Sequence, residues 1–185
     1  MGAIPRHIVT ALTVIFLTRV AAMGYEPVTA TVRVSSGALY DYVVIGEHPR
    51  ATDGYDNAYD TVSPGNLNQD MGEPYISAVV LHPDWKPSMR EMRGDIRAPA
   101  PRQEWRLKIT SSLPAGTPLT LEIQQERTRI PKGTAVTVRA ADGKEIDLQK
   151  GNFTMPAPKP SSPAEVVLVV VQPKEGKQDQ PPPVK

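Results

Sequence analysis

The sequence predicts an all-β protein, an antiparallel β-sandwich of Ig-like or jelly-roll type with roughly eight to ten strands. Three observations carry that reading. Apolar residues recur with a period of two along most of the chain, which is the signature of a half-buried strand. The 20 prolines and 13 glycines among 185 residues cut the chain into short runs, which suits strands better than long helices. Between residues 25 and 175 no helical period is sustained.

The elements follow in order. In "VTATVRVSS", Val28, Ala30, Val32 and Val34 share one face, and Thr29, Thr31, Arg33 and Ser35 the other. "SSGALYD" at 35–41 has the length of a hairpin. "YVVIG" at 42–46 and "VVLVVV" at 166–171 are apolar on both faces and read as central strands, and "YISAVVL" at 75–81 is intermediate. "EWRLKITSS" alternates Trp105, Leu107 and Ile109 with Arg106, Lys108 and Thr110, and "PLTLEIQ" places Leu119, Leu121 and Ile123 on one face. "TAVTVRA", "KEIDLQ" and "NFTM" supply shorter alternations. Asp142-Gly143 in "AADGKE" is a strong hairpin signal, and "LPAGTP" and "RIPKGT" are Pro/Gly turns. The best helix candidate, "KPSMREMRG", is at most two turns long and ends at Gly94.

Residues 1–24 follow the layout of a secretory signal peptide: the basic "MGAIPRH", the apolar "IVTALTVIFLT", then the small-residue "VAAMG". The apolar run falls short of the roughly 20 residues a membrane span needs. The expected organisation is a signal peptide at 1–24, a β-domain at 25–173, and a disordered Pro-rich tail at 174–185, "KEGKQDQPPPVK". Secretion, to the periplasm or beyond the cell, is the expected location. The absence of cysteine excludes disulfides, thiolate metal sites and thiol nucleophiles.

Charge excludes another class. Without the two arginines of residues 1–24, the 21 basic residues fall to 19 against 20 acids, which gives no basis for nucleic-acid binding. The charges are segregated, however. No Lys or Arg lies between Arg50 and Lys86, whereas residues 86–108 carry Lys86, Arg90, Arg93, Arg97, Arg102, Arg106 and Lys108. The acidic loop is expected to lie near this basic segment and to be partly neutralised by it.

In order along the chain, "GEHPRATDGYDNAYD", "HPDW", "RGDIRAP", "EWRLKITSS", "LTLEI" and "IPKGTAVTVRAADGKEIDLQKGNFTM" resemble a β-sandwich module of bacterial secreted and surface proteins. Such proteins are often built from Ig-like, fibronectin-like or cohesin/dockerin-type units. The resemblance covers about residues 40–171 and departs in the loop "SPGNLNQDMGEP". It implies secretion and a β-sandwich, and no particular chemistry.

The long polar segment 52–74 holds the candidate site, since loops of that length in compact domains usually carry function. Asp53, Asp56 and Asp60, with Thr52, Asn57 and Gly54 nearby, could offer oxygen ligands to calcium. Their spacing is not that of an EF-hand. The alternative is an Asx-turn loop whose carboxylates cap backbone N–H groups or pair with Arg93 or Arg97. Tyr55, Tyr59 and Trp85 could form an aromatic platform for a sugar or a protein. "RGD" at 93–95 is discounted as a chance tripeptide, and His48 and His82 read as strand-end residues. Asn152-Phe153-Thr154 is a glycosylation sequon that matters only in a eukaryotic secretory route.

The expectation is therefore a non-catalytic secreted or cell-surface module. It would bind a protein or an extracellular polysaccharide and could be stabilised by calcium. The rival is a small carbohydrate-binding or carbohydrate-active jelly-roll protein using the 53–60 loop, with His82 as acid or base. Convergence decides between them, because an enzyme needs a histidine bonded to Asp56 at the base of a pocket. A third option, a donor of a strand, requires an unpaired edge beside "VVLVVV".

Overall fold

A computed structural model describes residues 26–172. The signal peptide expected at 1–24 and the tail expected at 174–185 lie outside the described residues. The chain is all-β, as the alternation predicts. Its strands are β1 (Val28–Ser36), β2 (Leu39–Glu47), β3 (Thr61–Val62), β4 (Ile76–Leu81), β5 (Glu91–Arg97) and β6 (Arg102–Ser111). They continue with β7 (Pro118–Ile123), β8 (Ala135–Arg139), β9 (Glu145–Asp147), β10 (Phe153–Pro156) and β11 (Ala164–Val171). One helical turn, α1 (Leu67–Asp70), sits in the long loop.

These strands form one mixed sheet rather than two separate antiparallel ones, in the order β10-β7-β1-β2-β5-β4-β6-β11-β8-β9, with β3 beside β5. The sheet curls into a nearly closed, barrel-like arrangement. All ladders are antiparallel except β2–β5, which is parallel from Val44–Gly94 to Glu47–Arg97.

Local chemistry explains the elements. Both expected hairpins form. Ser36 pairs with Leu39 across Gly37, and Arg139 pairs with Glu145 across Gly143; both glycines have positive φ, at 58° and 82°. The inner faces of β1, β6 and β7 are the ones that alternation marks, with Val28, Ala30, Val32, Val34, Trp105, Leu107, Ile109, Leu119, Leu121 and Ile123 all buried. Full burial of one such aliphatic side chain is worth about 1.5–3 kcal/mol. The alternating faces therefore supply the main driving force.

Two expectations need correction. "KPSMREMRG" is not a two-turn helix: only Pro87–Met89 makes a single 3-10 turn, and Glu91–Gly94 already belong to β5. The ladder and the burial of Met92 outweigh weak local propensity. β2 is not buried on both faces, since Tyr42 and Val44 are half-buried while Asp41, Val43, Ile45 and Glu47 are buried. Its inner face thus carries two carboxylates. By contrast, β11 comes close to a central strand, with Val166, Leu168, Val169 and Val170 all buried between β6 and β8.

Candidate functional site

The site lies where β4 parts from β6. Their ladder ends at Val80–Leu107, and the chain then turns through His82-Pro83-Asp84-Trp85, leaving the first half of β6 without that partner. The turn is tied at both ends. The His82 N–H donates to the Arg90 carbonyl at 2.8 Å, the Trp85 N–H to the His82 carbonyl at 3.1 Å, and Arg90 Nε to the Trp85 carbonyl at 2.9 Å.

A bulge in β5 brings the charged partners to this opening. Against Val62 and Thr61 of β3, β5 advances by two residues, from Met92 to Gly94, so Arg93 is the extra residue. A bulge of this kind changes which face the following side chains occupy. Met92 pairs with core Val80 before it, and Asp95 pairs with core Ile45 after it. Asp95 and Arg97 are thereby turned toward the interior, and the Arg97 guanidinium lies 5.1 Å from the centre of the buried Trp105 ring.

Asp95 is only 2% exposed. Its Oδ2 meets His82 Nε2 at 2.8 Å and accepts from Arg97 Nη2 at 2.8 Å and Nε at 3.2 Å. Burial alone would raise its pKa, but the bonds and charges of His82 and Arg97 outweigh burial and hold the carboxyl below the usual range. Arg97 Nη1 donates to the Glu104 carbonyl at 3.0 Å and so satisfies an acceptor on the stretch of β6 that β4 has left.

Above this cluster the aromatics gather. The rings of His82 and Trp85 stack at 3.7 Å and 16°, and Tyr55 meets Trp85 edge-on at 6.3 Å. A pocket of about 220 Å³ opens here, lined by His82, Asp84, Trp85, Arg97, Glu104 and Arg106 among others. Charges on its wall are mostly committed. Arg106 Nη2 bonds Glu165 at 2.8 Å, and Glu104 joins Arg102 and Arg139. The Arg139 and Arg102 guanidiniums outweigh a small burial effect and hold the Glu104 carboxyl low. Asp84 is exposed and, among the described residues, makes no ion pair or side-chain hydrogen bond.

Of the expected site residues, Tyr55 and Trp85 come together and Tyr59 does not join them; it stacks on His48 at 4.7 Å. The three aspartates have different fates. Asp53 is exposed, and Asp56 Oδ1 accepts from the Ala58 N–H at 3.0 Å. Asp60 is buried, and its two oxygens accept from the N–H groups of Asp56 at 2.7 Å and Ile96 at 3.0 Å. Burial raises its pKa, with those two bonds acting against the rise. Asp60 therefore pins the long loop to β5. Among the described residues no three His, Asp or Glu side chains group as metal ligands would, and Asp56 and Asp60 spend carboxylate oxygens on main-chain N–H groups.

His82 bonds Asp95, and neither histidine bonds Asp56. "RGD" is also accounted for structurally, because Arg93 pairs with Asp41 and Asp95 with His82 and Arg97. The acidic loop does reach the basic segment, through β3–β5 and the Asp60–Ile96 bond. Five of that segment's cations, Arg93, Arg97, Arg102, Arg106 and Lys108, find their acids elsewhere, however: Asp41, Glu91, Asp95, Glu104, Glu145 and Glu165.

Glu104 and Arg106 are absent from the sequence expectation for the site, and Arg97 enters it only as a candidate partner of the loop carboxylates. Nothing in the sequence marks a bulge at Arg93, so the facing of Asp95 is not legible there. No protein-family model, curated protein or solved structure matches the chain.

Proposed function

We propose that the protein is a non-catalytic binding or assembly module of the cell surface, exported by residues 1–24, with the Tyr55–Trp85 lip as its contact face. The observation that carries this reading is the way the lip is braced from behind. His82 stacks on Trp85 and is held by Asp95, which is held in turn by Arg97. These groups spend their hydrogen bonds on one another, which fixes an aromatic surface in place. Ligand contact with a surface already fixed costs little ordering entropy. The signal-peptide layout and the resemblance of the loop and strand motifs to bacterial surface modules support export.

The test is co-sedimentation of the mature chain with washed cell envelopes of the producing organism, beside fractionation of cells making the full chain. The expected result is export with a new N-terminus near Tyr25, and envelope binding that is lost in the Tyr55→Ala/Trp85→Ala double variant. Binding unchanged in a folded double variant would remove the lip from the proposal, and retention of the chain in the cytoplasm would refute export.

A further inference from the structure

We infer that the pocket beside Trp85 takes a single ring of a neutral, hydroxyl-rich sugar presented by an extracellular polysaccharide. This inference rests on the binding reading above and names the ligand of that same lip. Size is the first argument. At about 220 Å³ the pocket is smaller than the roughly 300–1,000 Å³ typical of drug-sized ligand sites, and a single ring is the scale it admits.

Charge is the second. Two guanidiniums, Arg97 and Arg106, line the pocket with two carboxylates, Asp84 and Glu104, so the wall offers no net charge to select an ion. Both arginines and Glu104 already have counter-charges in Asp95, Glu165, Arg102 and Arg139. An ionic ligand would have to break these pairs. A hydroxyl group can instead share the donors and acceptors they leave over, because a guanidinium has five N–H groups and a carboxylate about four lone-pair sites.

The third argument is the combination of side chains. Planar, forked groups such as Arg106, Glu104 and Asp84 can each meet two neighbouring hydroxyls, while the half-buried Trp85 indole, covered on one side by His82, adds apolar surface for ring C–H groups. An apolar ligand would leave the polar wall unsatisfied, which is costly. An acidic sugar would face the unpaired carboxylate of Asp84.

The experiment uses the mature chain, residues 25–185, and amide chemical shifts. The probes are neutral pentasaccharides in gluco, manno and galacto configuration, with a galacturonic acid oligomer as the charged comparison. A neutral oligomer is expected to shift the amides of His82, Asp84, Trp85 and residues 104–106. Trp85→Ala is expected to weaken this binding about tenfold or more, and Asp84→Ala by several-fold. Asp84 is exposed, so its variant keeps the test decisive if Trp85→Ala fails to fold. Binding of the acidic oligomer alone overturns the neutral-sugar inference. Sugar binding that neither variant weakens overturns the placement. If no oligomer shifts these amides while envelope binding still depends on the lip, the sugar is overturned and a protein partner is left. Loss of both defeats the binding reading as well.

Discussion

At the scale of single residues, the most consequential pair lies away from the pocket. Arg93, the extra residue of the β5 bulge, reaches into the cleft between β2 and β4, which run side by side without a shared ladder. Its Nη1 bonds Asp41 Oδ1 at 2.5 Å and also meets the carbonyls of Tyr42 and Ala78. Asp41 Oδ2 accepts from the Ala78 N–H at 2.9 Å. Side chains thus supply the hydrogen bonds that a backbone ladder would otherwise make. Asp41→Ala strands a guanidinium and a main-chain N–H together, and is expected to cost about 3–5 kcal/mol in denaturant unfolding. A double-mutant cycle with Arg93→Ala should return a coupling of about 1–3 kcal/mol. Strict additivity would mean that the two carbonyls alone hold Arg93. Asp41 was within reach of the sequence, since counting by twos back from Ile45 and Val43 places it on the apolar face. The partner was not, because the bulge that frees Arg93 leaves no mark on composition or period.

At the scale of elements, legibility follows regularity. β6 and β7 alternate without interruption, and β1 departs only at Thr31, buried on the other face by its bonds to Thr128 and Arg127; the buried apolar sets of all three are the ones their sequences mark. β5 carries Met92 on the core face before the bulge and Asp95 after it, so no single phase describes "EMRGDIR". The parallel β2–β5 pairing has no local sign either, as it joins strands separated by the whole acidic loop. Gly46 marks another hidden constraint. A Cβ built there would stand 2.1 Å from the Val28 carbonyl oxygen, across the Thr29–Gly46 pairing of β1 and β2. The oxygen belongs to the main chain and the Cβ position is fixed by it, so neither can swing aside. Gly46→Ala is expected to reach or exceed the upper end of the roughly 1–3 kcal/mol typical of overpacking. The control is Gly94→Ala, whose Cβ would meet Thr61 Oγ1 at an ordinary 3.4 Å. Urea unfolding of the pair should separate them clearly, and equal midpoints would show that β1 and β2 can part without cost.

At the scale of the whole molecule, an apolar middle gives way to a charged end. Glu47, fully buried at the end of β2, accepts from the Ala100 N–H at 3.2 Å and from the Gln172 side chain, which ties the end of β11 to β2. No cation pairs with it among the described residues. Burial therefore raises its pKa, and the two hydrogen bonds offset this only in part. The consequence for stability has a definite sign. An acid whose pKa is higher when folded binds its proton more tightly in the native state, so stability falls as pH rises from the unfolded pKa through the folded one. Asp95 runs the other way: its depressed pKa gives stability that is present above the unfolded value and lost as pH falls through the folded value. Acid should thus unlock the His82–Asp95–Arg97 cluster, while neutral and higher pH should strain the Glu47 end. Glu47→Gln removes the buried charge and leaves an amide that can bond a flipped Gln172. The variant's advantage in melting temperature should grow as pH rises through the parent's raised Glu47 pKa and be absent at about pH 4, where the parent's Glu47 is itself neutral. Thermal melts across that range measure the difference directly. A difference in midpoint that does not change with pH would show that Glu47 titrates alike in the folded and unfolded chain, and that its burial is relieved by solvent at the barrel end.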